Sequence, residues 1–284
     1  MKIEELHDKL FDVLCIIDDI CKSEGIRYYL DSGTELGSVR EKDFIPWDDD
    51  MDIKILAEDF PKFLKVMKEK LPEHMLIIEP NAFAPYFYDF TYRIYDDRWL
   101  LREETEEDRV YNNYQNRVGT DVFLFSKVPH SKIKQKILVL KSKILYGMGM
   151  AYRYKIDADK YTIVQKLQVK VLGTIGKMFS AEKICDMWYK MITKWNKLDD
   201  ADRFTSNYGL PWLRFIPDYN FCGEAKGIIR GREFPIPNGY DEELTIIYGD
   251  YMTPPKDHSV FIHHLEKEEQ MSDEDIEVLY KKLD

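Results

Sequence analysis

The chain has 284 residues, of which 44% are hydrophobic and 33% charged, and it carries a net charge of −11. These values are typical of a soluble globular protein with a core large enough to fold unaided, and they exclude an intrinsically disordered chain. Met1–Lys9 is polar and acidic and no apolar run reaches about 18 residues, so we expect neither a signal peptide nor a membrane span. The four cysteines lack the paired spacing of a metal site, which predicts a reduced cytoplasmic protein.

The N-terminal part of the chain is predicted to combine helices with short strands. Apolar residues recur at helical spacing through Met1–Ser23, and Gly25 is expected to end that helix. Core strands are predicted at Ile26–Leu30 and at Asp50–Ile55, where polar and apolar residues alternate. A further amphipathic helix is expected to end before Pro72.

The second predicted strand begins in an acidic run that a hydrophobic core does not require. Four of its five positions from 48 to 52 are aspartates, namely Asp48, Asp49, Asp50 and Asp52. Two carboxylates about 4 Å apart repel by ~1 kcal/mol in water and ~4 kcal/mol near a protein surface. A bound divalent metal would compensate this charge. The alternatives are a surface acidic loop and a structural loop that binds calcium.

Strand geometry predicts how these carboxylates are arranged. Side chains two apart share one face of a strand, so Asp50 and Asp52 are expected to point the same way, and Asp48 has the same parity. Parallel carboxylates at the start of a strand form a hard-oxygen site suited to Mg²⁺ or Mn²⁺.

Ser32-Gly33-Thr34 follows the first predicted strand and is a candidate phosphate cradle. A glycine after a strand lets backbone N–H groups face an anion, and a neighbouring hydroxyl can add a hydrogen bond. A phosphate cradle combined with paired carboxylates is typical of phosphoryl transfer, which depends on positioning and charge neutralisation.

Two arginines are candidates for binding phosphate. Arg40 lies between the cradle and the aspartates, and its alternative is a salt bridge to Glu35 or Asp43. Arg93 is a weaker candidate on a predicted hairpin.

The middle of the chain is predicted to contain four further strands and a loop. The strands are Met75–Ile78, Phe87–Tyr95, Trp99–Arg102 and Val118–Phe125, with a tight turn at Asp96-Asp97 between the second and third and a solvated acidic loop at Glu103–Asp108. Asp121 is the acid of an otherwise apolar run, so it is either a buried carboxylate paired with an arginine or backbone groups, or a metal ligand.

Residues 131 to about 197 are predicted to be helical and basic. Between 131 and 180, ten lysines and one arginine stand against two aspartates, a net charge of +9 that leaves −20 for the rest of the chain. We favour a helical lid with a solvated basic face over a face that contacts anionic membrane lipid or a polyanionic glycan acceptor. No DNA-binding motif accompanies the charge, so nucleic acid is not an expected partner.

The C-terminal part is rich in aromatic residues, glycine and proline, which predicts short strands and turns. Phe234–Gly239 is expected to be extended and then to turn. Asp241–Tyr248 is expected to form a short helix capped by Gly249, and residues 266–284 a charged helix.

Several stretches resemble the LicD family of phosphotransferases. They are Gly33-Thr-Glu-Leu-Gly37, Arg40, Phe44-Ile-Pro-Trp-Asp-Asp-Asp-Met-Asp52, Gly119-Thr-Asp-Val-Phe-Leu-Phe125, Gly231-Arg-Glu-Phe-Pro-Ile-Pro-Asn-Gly239 and Tyr248-Gly-Asp-Tyr251. The resemblance implies an α+β fold with a nucleotidyltransferase-like mixed sheet core and a helical insertion. The expected parts are a catalytic core at 1–130, a basic helical insertion at 131–200 and a C-terminal part at 201–284 that packs on the core.

The resemblance also implies a reaction. Members of the family are best known for moving phosphocholine from CDP-choline to cell-surface glycans. We therefore expect Mg²⁺- or Mn²⁺-dependent transfer of a phospho-alcohol, with phosphocholine favoured, from a CDP-activated donor to a sugar hydroxyl. The acceptor would be a glycan, a lipid-linked glycan or a teichoic-acid-like polymer, and the enzyme could contact the inner face of the plasma membrane through 131–180.

Roles for the candidate residues follow from that reaction. Asp50, Asp52 and Asp121 are the expected metal ligands, since in the family's fold a carboxylate from a neighbouring strand completes the site. A carboxylate of Asp48 or Asp121 is the expected proton acceptor. The alternatives are a nucleotidyltransferase that releases pyrophosphate and a non-catalytic protein that binds glycan or membrane.

Overall fold

The computed structural model describes residues 1–156, 161–197, 201–205, 214–221 and 223–255. The predicted helix at 266–284 and the end of the predicted C-terminal part lie outside the described residues. Within them, eight α-helices and nine β-strands form a mixed α/β fold. The fold class is therefore confirmed at the level of a mixed sheet with helices.

The helices are α1 (Ile3–Glu24), α2 (Ser32–Arg40), α3 (Phe60–Lys70), α4 (Glu106–Val110), α5 (Lys132–Gly149), α6 (Ile163–Gly176), α7 (Ala181–Thr193) and α8 (Tyr240–Tyr248). The strands are β1 (Tyr29–Leu30), β2 (Asp52–Leu56), β3 (Met75–Ile78), β4 (Tyr92–Leu100), β5 (Arg117–Val128), β6 (Arg203–Thr205), β7 (Ile216–Pro217), β8 (Glu224–Ile229) and β9 (Arg232–Pro237).

Seven strands form one mixed sheet in the order β1-β2-β5-β4-β3, and β6 joins the far end of β5 and pairs with β7. Strands β2 and β5 are parallel, whereas the other pairs are antiparallel. Strands β8 and β9 form a separate hairpin. The parallel register pairs Asp52, the first residue of β2, with Asp121, so the start of β2 lies beside the middle of β5.

Several predicted elements are confirmed with small shifts of their ends. Helix α1 buries its apolar stripe, and Gly25 ends it with φ 59°, a left-handed conformation that suits glycine. Helix α8 ends at Gly249 as expected, with φ 72°. The first strand is shorter than predicted, since only Tyr29–Leu30 pairs with β2.

The predicted hairpin at Asp96-Asp97 is wrong. One strand, β4, runs through both aspartates, and its pairing with β5 shifts register between Tyr95 and Leu100. Asp96 accepts hydrogen bonds from the backbone N–H of Arg98 at 3.0 Å and from its guanidinium at 2.6 Å. Two adjacent aspartates usually indicate a turn, but here they occupy an irregular stretch within the strand.

The predicted loop at Glu103–Asp108 is also partly wrong, because helix α4 begins within it. The Thr105 hydroxyl accepts a hydrogen bond from the Asp108 N–H at 3.2 Å, and the Asp108 carboxylate accepts one from the Thr105 N–H at 2.8 Å. This reciprocal cap stabilises the first turn. Aspartate stands where a glutamate is the usual signal, which is why the acidic run resembled a solvated loop.

The helical region contains two different kinds of helix. Helix α7 buries Ile184, Trp188 and Ile192 in the main core, whereas α6 is almost entirely exposed. After α7 the chain returns to the sheet as β6. The division at 130 and 200 stays a prediction. Among the described helices, none is long and apolar enough to cross a membrane.

A small apolar cluster docks α8 against α2. It consists of Leu36, Ile45, Trp47, Leu244 and Tyr251. The Pro-Trp corner before the aspartates thus packs under the C-terminal helix. This contact brings residues about 200 positions apart in sequence to the start of β2.

Candidate active site

The centre of the site is a row of three side chains across neighbouring strands. The parallel register pairs Asp52 of β2 with Asp121 of β5, and the antiparallel register pairs Asp121 with Arg93 of β4. Residues paired in register project from the same face of a sheet. The structure therefore places the expected carboxylate of the neighbouring strand directly beside Asp52.

Arg93 holds Asp121 in one orientation. Its Nη1 donates to Asp121 Oδ1 at 2.6 Å, and its Nη2 donates to the Arg117 carbonyl at 3.1 Å. The Arg93 side chain is buried, whereas that of Asp121 is 22% exposed. The pair with an arginine, which the sequence analysis gave as one of two possibilities for Asp121, is thus present in the structure. A metal-ligand role for Asp121 and a phosphate-binding role for Arg93 stay predictions.

The acidic run brings further carboxylates to this row. The pKa values of Asp48 and Asp52 are raised well above the ordinary value, first because burial disfavours the ionised form and then because Asp50 lies beside both. Asp121 adds to the rise at Asp52. Crowded, partly buried carboxylates of this kind favour the uptake of either a proton or a cation.

Asp50 lies just before β2 rather than within it, because the observed strand begins two residues later than predicted. The Asp121 N–H nevertheless donates to the Met51 carbonyl at 2.9 Å, which fixes the entry to β2 against β5. Met51 itself is fully buried. The loop that carries Asp48 and Asp50 is thereby anchored next to the sheet.

Ser32-Gly33-Thr34 forms the first turn of α2, next to the same edge. The Asp52 N–H donates to the Thr34 hydroxyl at 2.9 Å, and the Asp31 N–H donates to the Asp52 carbonyl at 3.0 Å. A Cβ on Gly33 would lie 2.4 Å from Asp48 Oδ2, so only glycine allows this approach of the carboxylate. The phosphate-cradle role of these three residues stays a prediction.

Arg40 joins α2 to the segment after α8. Its Nε donates to Glu41 Oε1 at 2.5 Å and its Nη1 to the Tyr251 carbonyl at 2.7 Å. The salt bridge that was the alternative for Arg40 is therefore present, but its partner is Glu41 rather than Glu35 or Asp43. Its predicted role in phosphate binding remains open to test.

A second acidic group, which the sequence did not predict, surrounds a buried lysine. Asp31, Glu35 and Glu243 each place one oxygen within 4.8 Å of the others. Lys54 Nζ lies 2.6 Å from Glu35 Oε2, 2.6 Å from Glu243 Oε1 and 3.2 Å from Asp31 Oδ1. The ammonium group already occupies the position that a metal ion would take among these acids.

The sequence did contain one signal for this buried lysine, namely the alternation of polar and apolar residues from which the arrangement of Asp50 and Asp52 was predicted. Lys54 has the same parity as Asp52, so the same argument places its side chain on the side of the site. Burial raises the pKa of Glu35 and of Glu243, and the Lys54 charge opposes that rise. The partner on α8 could not be inferred from the sequence, because it lies 189 residues from Lys54.

Tyr248 adds an aromatic hydroxyl from the C-terminal part. The residue is 37% exposed, but burial around its hydroxyl and the charges of Asp48 and Asp52 raise its pKa well above the ordinary value. The hydroxyl therefore lies close enough to the aspartates to respond to their charge. Its signal in the sequence was the stretch Tyr248-Gly-Asp-Tyr251.

Sequence comparison with known proteins finds related chains. Residues 25–146 match the family model described as LicD/FKTN/FKRP, nucleotidyltransferase domain. Over 271 residues the chain is 25% identical to the lipopolysaccharide cholinephosphotransferase LicD of Haemophilus influenzae. The aligned region covers 94% of this chain and 98% of that protein. The chain is thus similar to the LicD family over residues 25–146. It is a transferase of the LicD type, so the non-catalytic alternative is set aside.

Other relatives match shorter parts of this chain. An uncharacterized protein of Rickettsia prowazekii is 40% identical over 184 residues, 59% of this chain and 63% of that protein. The human ribitol 5-phosphate transferase FKRP is 45% identical over 40 residues, 14% of this chain and 8% of that protein. The matched family segment contains α2, the aspartates, Arg93 and Asp121, whereas Glu243 and Tyr248 lie beyond it.

Proposed function

We propose that this chain transfers a phospho-alcohol group, with phosphocholine first, from a CDP-activated donor to a sugar hydroxyl of a surface glycan. The observation that carries the proposal is the in-register pair Asp52 and Asp121, with Asp48 and Asp50 beside it. The name of the Haemophilus influenzae relative supports phosphocholine and a lipopolysaccharide acceptor. A ribitol phosphate transferase among the relatives supports the wider class of phospho-alcohols.

We infer that Asp50, Asp52 and Asp121 hold a divalent cation, Mg²⁺ or Mn²⁺. The donor set fits such an ion, because carboxylate oxygens are the hard ligands that Mg²⁺ and Mn²⁺ prefer, and because Asp50 and Asp121 both lie close enough to Asp52 to raise its pKa. The Asp31, Glu35 and Glu243 group is a poorer choice, since the Lys54 ammonium already lies among its oxygens. When bound, the ion would neutralise the diphosphate and lower the pKa of the attacking hydroxyl.

The protein groups then position and deprotonate the substrates. Arg93 keeps Asp121 oriented, and a carboxylate of Asp48 or Asp121 accepts the proton of the sugar hydroxyl. The sugar oxygen forms a bond to the phosphorus that carries the alcohol, the bond from that phosphorus to CMP breaks, and CMP leaves. The N–H groups at the start of α2 face the diphosphate.

The test is to incubate the chain with CDP-choline, Mg²⁺ and a glycan acceptor and to measure CMP. We expect CMP release that EDTA abolishes and that Asp52→Asn lowers at least about 100-fold. Asp12→Asn is the matched control, because Asp12 is exposed on α1, outside the site. Metal-dependent turnover that survives in Asp52→Asn contradicts the proposal.

The second candidate is transfer of a nucleotidyl group. The matching family model, described as a nucleotidyltransferase domain, favours this reaction. With CTP as donor it releases pyrophosphate rather than CMP, so the two products separate the candidates in one assay.

A further inference from the structure

Helices α5 and α6 expose apolar side chains to an unusual extent. Ile133 on α5 is 72% exposed, Ile163 on α6 is 86% exposed, and Met178 just after α6 is 77% exposed. Groups of neighbouring apolar side chains with this much exposure are uncommon on soluble proteins unless they contact another surface. We call the exposed sides of α5 and α6, together with Met178, the basic apolar face.

The exposed apolar residues of α5 form one stripe. They are Ile133, Ile137, Leu140 and Ile144. Steps of four, three and four residues keep side chains on one side of a helix. Leu138, Ser142 and Leu145 are buried on the opposite side. A turn of about 100° per residue places Lys136 and Lys143 along one edge of the stripe and Lys134 and Lys141 along the other.

Helix α6 repeats this arrangement. Its exposed apolar residues include Val164, Leu167, Val171 and Ile175. Its buried residues are Gly173 and Gly176, and a Cβ on Gly176 would lie 2.3 Å from the Met148 carbonyl of α5. The small residues therefore permit close packing on α5, while the apolar stripe points away from it. By the same geometry Lys170 lies beside the stripe, whereas Lys166 lies on the side of Gly173, seven residues further along the helix.

Charge indicates what this face can bind. Neither α5 nor α6 contains an aspartate or a glutamate, whereas the two helices carry seven lysines. A second copy of the same face would bring like charges together, which opposes self-association. An anionic bilayer complements both features, since apolar side chains enter the boundary of the head groups and lysines lie near the lipid phosphates.

We propose that the basic apolar face binds the surface of an anionic lipid bilayer as a peripheral contact. The described helices do not span a membrane, so the face lies on the bilayer and does not cross it. The contact is independent of the chemistry at the aspartates. It would bring the site to an acceptor held at the membrane, and it makes the basic region a binding surface rather than the solvated lid favoured from the sequence.

The experiment is flotation of the full chain with vesicles of phosphatidylcholine alone or mixed with phosphatidylglycerol, at low and high salt. We expect binding to the anionic vesicles, weak binding to the neutral ones, and loss of binding at about 0.5 M salt through screening. Lys136→Gln with Lys143→Gln should weaken binding about fivefold per lysine. Lys65→Gln with Lys226→Gln, at exposed positions on other elements, should leave it unchanged.

A second pair of variants tests the apolar stripes. Leu140→Gln with Leu167→Gln should weaken vesicle binding at least about tenfold, because each loses one inserted side chain. Leu76→Gln with Leu100→Gln is the control, since those leucines are 42% and 40% exposed on β3 and β4. CMP release with a soluble acceptor should be unchanged in both pairs. A native chain that binds anionic vesicles but releases no CMP would contradict the proposed function alone.

Three results overturn the membrane proposal. One is the absence of binding to anionic vesicles at low salt, and another is equal weakening by the control variants. The third is self-association of the free chain in sedimentation equilibrium that Leu140→Gln with Leu167→Gln abolishes, which would mean that a second copy covers the face.

Discussion

Two groups of acidic side chains lie at the start of β2, and they differ in how their charge is neutralised. Asp31, Glu35 and Glu243 surround Lys54, whose Nζ lies within 3.2 Å of all three. Asp48, Asp50 and Asp52 crowd one another, and the arginine nearby is engaged by Asp121. The first group contains its own cation, whereas the cation proposed for the second group would come from solution.

This difference separates a structural role from a binding role. The Lys54 group joins α2, β2 and α8, so it holds the C-terminal helix and Tyr248 over the sheet edge. Removing one partner of a buried ion group leaves an uncompensated charge, which is costly. In the aspartate group, Asp121 of β5 is paired with Arg93 of β4. Acidic density alone therefore does not identify a metal site, and the buried partner must be known.

The largest effect is expected from Lys54→Met. Three buried carboxylates would lose their common cation, and the free energy of unfolding should fall by about 3–5 kcal/mol. Urea unfolding at neutral pH measures this loss. Lys65→Met, at an exposed position of α3, should change stability by less than about 0.5 kcal/mol. A loss below about 1 kcal/mol in Lys54→Met would mean that the group does not hold α8.

The next effect concerns metal binding, and it tests whether the aspartate group or the Lys54 group binds the metal. Mg²⁺ at 100 times its dissociation constant should raise the free energy of unfolding by about 2.7 kcal/mol, because it binds the folded state. Thermal unfolding with Mg²⁺ or EDTA measures the gain. Asp52→Asn should abolish it, and Glu243→Gln should retain it. If Glu243→Gln abolishes the gain while Asp52→Asn retains it, the metal belongs to the Lys54 group.

The sequence predicted one group and missed the other for a physical reason. Asp50 and Asp52 could be recognised from local alternation, and Asp121 from its place in a resembling stretch. Glu243 could not, since its contact with Lys54 depends on the docking of α8. The Arg93 pair with Asp121 likewise depends on the strand order, which puts β5 between β2 and β4.

Local chemistry also limited the prediction of the fold. Helices α1, α3 and α8 have periodic apolar residues and recognisable ends, so their positions were predicted well. Asp96-Asp97 resembled a turn because strand pairing with β5 and the Arg98 contacts are invisible in the local pattern. The exposed stripes of α5 resembled an ordinary amphipathic helix, since the sequence does not tell which apolar face is buried.

Arg93→Lys should have a smaller effect on stability than Lys54→Met. Lysine keeps the charge but lacks the fork that bonds Asp121 and the Arg117 carbonyl together, so we expect a loss of about 1.5–3 kcal/mol. If Arg93 orients Asp121, kcat should fall while KM for the donor changes little. If Arg93 binds phosphate, KM for the donor should rise instead. Arg27→Lys, whose partners Glu58 and Asp59 are exposed like Arg27 itself, is the control.

The smallest effect is the pH dependence of stability without metal. The pKa values of Asp48 and Asp52 are raised in the folded state, so the folded state binds more protons than the unfolded chain above about pH 4. Their contribution to stability is therefore present below that pH and is lost as pH rises through the raised values. Asp52→Asn removes part of this loss. In EDTA, the free energy of unfolding of the variant should therefore rise relative to that of the native chain as pH increases, by on the order of 1 kcal/mol.

Urea unfolding in EDTA at pH 4, 6 and 8 measures this gain, and Asp12→Asn, with its exposed carboxylate, should show none. Saturating Mg²⁺ should reverse the sign at pH 8, because the cation replaces the proton as the partner of the aspartates. A difference that stays flat with pH in EDTA would mean that the carboxylates do not repel in the folded chain. The aspartate group would then be neutralised internally, as the Lys54 group is.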